Sequence, residues 1–149
     1  MRELVKFADK SSILEALGEF LPIFPHLCEK VEINEYAQKL SNYANFYLAK
    51  ENGENIGILV FYANDTNRKC AYISLIGVKD TYQGKGLGKW LLEFCENEAK
   101  QNGMKIIALE VDNDNLNGMK FYKRNGFVVV SIILWGLCRR ELRAFHLGV

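Results

Sequence analysis

Apolar residues recur at helical spacing in some stretches of this chain and alternate or run together in others. That contrast divides it into elements. Residues 2–8 alternate weakly, as a strand opening a sheet would. Ile13, Leu14, Leu17 and Leu21 then follow helical spacing, Ser11-Ser12 offers the N-cap, and Pro22 and Pro25 break the run. A second helix is expected at 28–40, with Glu and Lys along one face. Residues 45–50 read as a strand, and Asn52-Gly53 as a hairpin turn whose central positions want positive φ. The returning strand is 55–62. The polar segment 63–69 reads as a loop, and 70–78, apolar almost throughout, as a central strand. These three strands are expected to form an antiparallel meander.

Beyond residue 78 the period changes. Leu87, Leu91, Phe94 and Cys95 keep helical spacing over 86–101, and Asn102-Gly103 is a glycine C-cap. Residues 105–111 form a second buried strand. A strand, a helix and a strand in that order make a β-α-β unit, so its two strands run parallel with a right-handed crossover. A short helix over 116–124, capped by Asn125-Gly126, and a strand over 127–134 complete the pattern. No repeat, low-complexity segment or linker interrupts it. The expectation is one mixed α/β (α+β) domain over 1–149, with a sheet of about six or seven strands and helices on both faces.

Composition removes whole classes of function. The 149 residues carry a formal net charge of +1 and no long run of either sign, so no nucleic-acid partner is expected. The longest apolar run, 127–135, is interrupted by Ser131 and falls far short of the ~20 residues that span a bilayer. No membrane partner is expected. The N-terminus is charged from Arg2 onward, without the apolar core of a signal peptide, so the expected location is cytoplasmic. Cys28, Cys70, Cys95 and Cys138 form no Cys-x-x-Cys pair and are expected as buried or partly buried reduced thiols. His26 and Cys28 alone do not make a metal site, and no metal is expected.

Chemistry concentrates at Gln83-Gly84-Lys85-Gly86-Leu87-Gly88, between the 70–78 strand and the 86–101 helix. Glycines at alternate positions leave the backbone bare at a helix start, where free N–H groups and the helix dipole attract anions. A P-loop needs a glycine five positions before Gly88 and Ser or Thr after its lysine; Gln83 and Trp90 stand there. A dinucleotide fingerprint needs G-x-G-x-x-G, whereas these glycines run G-x-G-x-G.

The pattern that fits is Q-x-x-G-x-G, read as Gln83, Gly86 and Gly88. It resembles the acetyl-CoA pyrophosphate loop of the GNAT superfamily of N-acetyltransferases. Asn115, Phe121-Tyr122 and Gly126-Phe127 resemble that family's later pattern N-x-x-A-x-x-[FL]-Y-x-[KR]-x-G-F, with Arg124 for its basic position and Gly118 where alanine is usual. The resemblance covers residues 43–127 well and the first forty in outline. The tail 135–149 does not read clearly as the family's last strand.

The resemblance implies acetyl transfer from acetyl-CoA, as co-substrate, to a primary amine by direct attack in a ternary complex. The N–H groups of Gly84, Lys85, Gly86, Leu87, Gly88 and Lys89 would face the pyrophosphate, with Lys85 and Lys89 adding charge. The pantetheine arm would lie along Ile76, Gly77 and Val78, where Gly77 marks a bulge that starts a splay of the two parallel strands. A backbone N–H near Val78 would polarise the carbonyl. Tyr122 would protonate the leaving thiolate, and Asn115 would bond the cofactor arm. Glu110 is the chosen base or water-positioning residue. Asp112, Glu29, Glu32, Glu35, His26 and a water chain stand as alternatives. The acceptor, a small molecule or a peptide, would meet the 22–40 region, the 63–69 loop and aromatic residues including Tyr36, Tyr62 and Tyr72. The acidic second helix hints at a cationic amine. The apolar Ile132-Ile133-Leu134-Trp135 either completes the sheet or joins a homodimer. The competing reading is a non-catalytic acyl-CoA-binding module of the same fold.

Overall fold

The computed structural model describes residues 1–112, 115–130 and 141–147. The chain divides into two compact units, Met1–Tyr62 with Ser74–Cys95, and Ala63–Ile73 with Glu96–Val149.

The first unit opens with strand β1 (Arg2–Phe7), helix α1 (Lys10–Phe20) and a 3-10 turn, Leu21–Ile23. Asp9, not Ser11-Ser12, caps α1: its carboxylate accepts from Ser12 N at 2.9 Å, and the two serines lie in the first turn. An aspartate at that position both satisfies an orphan N–H and meets the positive end of the helix dipole. Pro22 sits early in the 3-10 turn, where a missing N–H costs nothing.

The helix expected over 28–40 is two helices, α2 (Leu27–Lys30) and α3 (Ile33–Tyr43). Val31 and Glu32 between them are extended, and the Glu32 carboxylate accepts from Glu35 N at 2.7 Å. Glu32 therefore starts a new helix, and the new phase buries Tyr36, Ala37 and Leu40.

Strands β2 (Asn45–Glu51) and β3 (Glu54–Asp65) follow, joined at Asn52 (φ 53°) and Gly53 (φ 80°) as the hairpin signal predicts. β3 runs three residues past 62, which takes those residues from the expected 63–69 loop. β1 pairs antiparallel with β2 from Arg2↔Glu51 to Phe7↔Phe46, and β2 with β3 from Asn45↔Phe61 to Glu51↔Glu54. The core of this unit joins Ile13, Leu17 and Phe20 of α1 to Tyr36 and Leu40 of α3 and to Phe46, Leu48, Ile58 and Val60 of the strands. Fully burying one such apolar side chain stabilises by about 1.5–3 kcal/mol.

Strand β4 (Cys70–Val78) begins in the second unit and ends in the first, where helix α4 (Leu87–Gln101) also begins. In the second unit β4 runs parallel to β5 (Ile106–Asp112) over Cys70↔Ile106, Ala71↔Ile107 and Tyr72↔Ala108. The parallel pair is the one that the β-α-β order predicts. The ladder stops there, although Ile73 and Leu109 follow in the same unit. Helix α5 (Leu116–Arg124) has the predicted bounds.

Strand β6 spans Val128–Val130, one residue later than the expected start at Phe127, and residues 131–134 of the expected strand lie outside the described residues. So do Cys138 and the apolar Ile132–Trp135 segment proposed for sheet completion or a homodimer. The tail does hold a strand, β7 (Glu141–Leu147), which pairs antiparallel with β5 from Ile106↔Leu147 to Asp112↔Glu141 and with β6 at Val128↔Phe145. Seven strands are thus present among the described residues. β7 carries no local signal: seven residues of mixed pattern gain their partners only when folding sets them between β5 and β6. Among the described residues no helix is long and apolar enough to cross a membrane.

Candidate active site

The end of β4 breaks step. Ala71, Ile73 and Leu75 are buried in strict alternation, but the next buried residue is Val78, one position late. The slip falls at Ile76-Gly77, where the sequence places a bulge. A Cβ at Gly77 would meet Ile23 Cδ1 at 2.7 Å and Phe24 Cζ at 2.9 Å, so any larger residue would push the ends of those side chains aside. The segment before α2 thus closes on bare backbone at the position named for the acyl arm.

From Val78 a 3-10 turn, Asp80–Tyr82, leads into the glycine loop. Gly84 (φ 79°) and Gly86 (φ 80°) are both left-handed, a conformation that strains any residue with a Cβ. Among the described residues no carbonyl accepts from an N–H of residues 84–89; the first N–H to donate is that of Trp90, to Gly86 O at 3.1 Å. Six consecutive donors therefore remain at the positive end of a fifteen-residue helix. Gly88 lies inside the first turn of α4.

Gln83, though exposed, is tied back to the strand end. Its Nε2 donates to Val78 O at 3.0 Å and to Asp80 Oδ1 at 3.3 Å, tying the loop to the strand end. Lys85 and Lys89 are exposed, and the Lys85 ammonium lies 5.6 Å from the Tyr82 ring centroid. A third cation, Arg2 of β1, escaped the sequence reading. Its guanidinium reaches Lys85 O at 3.4 Å and lies 5.8 Å from the Trp90 ring centroid. No local signal links residues so far apart.

The other predicted residues belong to the second unit. Glu110 is half-buried on β5, and the Asp112 side chain lies outside the described residues. Asn115 caps α5: its Oδ1 accepts from Gly118 N at 3.0 Å. A Cβ on residue 118 would stand 2.5 Å from Asn115 Nδ2, which explains a glycine at a position where alanine would favour the helix. Tyr122 packs edge-on against Phe121 and Phe127, with ring centroids 5.2 Å and 5.7 Å away. Burial pushes its phenol up, so it holds its proton throughout the physiological range.

Two of the three carboxylates of 22–40 are engaged locally. His26 Nδ1 and Glu29 Oε2 are 3.0 Å apart in an exposed pair, and Glu32 is spent on the α3 cap. Cys28 is exposed, unlike the buried thiols expected; it lies on α2, a helix of four residues with no buried face. Among the described residues no cluster of three or more metal-ligating side chains occurs.

Residues 11–127 match the model of the acetyltransferase (GNAT) family. An uncharacterized N-acetyltransferase of Methanocaldococcus jannaschii is 31% identical over 92 residues, 59% of this chain and 41% of that protein. The chain spans about half the length of the curated relatives it matches, 41% of that one and 59% of a Bacillus subtilis relative. Among solved structures, an IAA acetyltransferase from Bacillus cereus superposes with a TM-score of 0.74 at 26% identity, covering 99% of both chains. An acetyltransferase of Bacillus anthracis, solved in complex with acetyl coenzyme A, superposes with a TM-score of 0.59 at 30% identity over 72% of this chain and 64% of that one.

Proposed function

The chain belongs to the acetyltransferase (GNAT) family, and from that premise we propose that it transfers an acetyl group from acetyl-CoA to a primary amine. The amine nitrogen attacks the thioester carbonyl directly, the C–N bond forms, the C–S bond breaks, and the thiolate leaves. The observation that carries this reading is the glycine loop, with two left-handed glycines and six N–H groups without backbone partners over residues 84–89. Such an array complements a pyrophosphate, and the bare backbone lets it approach closely. A solved relative holding acetyl coenzyme A supports the same donor.

The remaining roles follow the resemblance. Ile76, Gly77 and Val78 carry the acyl arm, and a backbone N–H near Val78 polarises the carbonyl. Tyr122 supplies the proton that the thiolate takes. Asn115 bonds the cofactor arm as well as capping α5. Glu110 accepts the ammonium proton, directly or through water.

Two measurements test the reading. Acetyl-CoA should raise the melting temperature of the protein, and ATP and NAD should not. Gly86→Glu should abolish that shift, because it forces a left-handed residue to carry a side chain and sets a carboxylate against the phosphates. Unchanged acetyl-CoA affinity in Gly86→Glu refutes the loop assignment. Acetyl-CoA binding without thiol release on any amine favours a non-catalytic module.

A further inference from the structure

The chemistry above leaves a group of hydroxyls in the first unit unused. Tyr36 Oη on α3 and Ser74 Oγ on β4 are 2.5 Å apart. Tyr62 on β3 is close enough to Tyr36 for the two phenols to act on each other electrostatically. The Tyr62 hydroxyl oxygen is buried and has no hydrogen-bond partner among the described residues. Among the described residues only one other buried side-chain polar atom, Asn55 Oδ1, shares that condition. A buried hydroxyl left unpaired destabilises the folded state, and native proteins hold few of them. Phenylalanine would fill the same space without that cost. What tyrosine adds at position 62 is a hydrogen bond that the protein alone does not make.

The charge around the cluster points to what would accept that bond. Burial pushes both phenols up, Tyr36 to about 12, so both keep their protons at neutral pH. Among the described residues no carboxylate contributes to either shift. The Lys39 ammonium lies 5.6 Å from the Tyr62 ring centroid. The Tyr36–Ser74 bond uses one of its two hydroxyl protons, so the other and that of Tyr62 stay available for donation. Two spare O–H donors beside an ammonium complement an anionic oxygen group. Ser74 also lies two residues before the Ile76-Gly77 irregularity, on the strand that carries the acyl arm.

We propose that the Tyr36, Tyr62 and Ser74 hydroxyls bind a carboxylate on the acceptor, which makes the acceptor an amino carboxylate and not a polyamine. This inference rests on the acetyl-transfer reading and names the substrate class of that site. It runs against the cationic preference that the acidic second helix suggests; of the carboxylates there, Glu29 pairs with His26 and Glu32 caps α3, while Glu35 is exposed.

The test compares amines that differ only in the carboxylate, L-phenylalanine with phenethylamine and L-lysine with cadaverine, by thiol release from acetyl-CoA. The wild type should favour the carboxylate-bearing member by at least about tenfold in kcat/KM, since a site built to hydrogen-bond a group rejects the analogue lacking it. In Tyr62→Phe that ratio should fall toward one, while the free variant melts at or above the wild-type temperature. A wild-type ratio of one or below overturns the proposal. So does a ratio that Tyr62→Phe leaves intact, or a Tyr62→Phe protein that melts several degrees lower. If acetyl-CoA still raises the melting temperature but none of the four amines turns over, the acceptor class is wrong and the donor reading stands. If acetyl-CoA produces no shift, the donor reading falls and takes this proposal with it.

Discussion

Tyr122 and Tyr36 are both phenols raised by burial, and they belong to different problems. Tyr122 concerns chemistry. Removing its hydroxyl leaves the ring packing on Phe121 and Phe127 intact, so Tyr122→Phe should fold normally and bind acetyl-CoA with nearly unchanged affinity. Its kcat should fall by about 10²-fold or more if the phenol is the acid that the thiolate needs. Steady-state rates at saturating acetyl-CoA check this, and an unchanged kcat removes the role. Tyr36 concerns stability. Its ionisation is held up to about 12 in the folded protein. Above the ordinary phenol value of ~10 the unfolded chain loses this proton while the folded chain keeps it, so stability falls as pH rises. The contribution is fully present below pH ~10 and amounts to roughly 2–3 kcal/mol. Urea titrations across that window should show a falling midpoint, and Tyr36→Phe should flatten the slope.

The informative elements are those whose ends carry function. α5 starts at Asn115, whose side chain accepts from Gly118 N. Asn115→Ala should cost about 1 kcal/mol as a lost N-cap. Gly118→Ala sets two effects of similar size against each other: a gain of about 1 kcal/mol in helix propensity and the displacement of the Asn115 side chain from its cap. The net stability change should therefore be small, while acetyl-CoA affinity drops if Asn115 also bonds the cofactor arm. Calorimetric melting and acetyl-CoA titration of the same variant separate the two. The elements also show why some boundaries were readable. α5, β4 and the Asn52-Gly53 hairpin end on residues with strong local preferences, and the observed bounds agree with the pattern. α1 and α3 start on Asp9 and Glu32, and β7 lies between β5 and β6, partners it meets only in the folded chain. In those cases a single side-chain reach, or a distant partner, settled what propensity left open.

For the molecule as a whole, the relevant equilibrium is between free and donor-bound protein. A ligand at a hundred times its Kd stabilises the native state by about 2.7 kcal/mol, which for a domain of this size raises the melting temperature by roughly 5–10 °C. A dose series of acetyl-CoA should follow that logarithmic course and should collapse in Gly86→Glu. The amino-acid sequence by itself determined the family, the β-α-β order and the loop from Gln83 to Lys89, because glycine spacing and hydrophobic period are local properties of the chain. It also singled out Gly77, where the burial alternation of β4 slips and the Ile23 and Phe24 side chains come close. Only the tertiary structure showed that Gln83 is bound back to Val78 and Asp80, and that Arg2 reaches the Lys85 carbonyl. It alone left the Tyr62 hydroxyl buried without a partner beside the Tyr36–Ser74 pair. Those facts depend on residues that folding brings together from distant positions, and the cost of an unpaired polar group exists only once water has been excluded from around it.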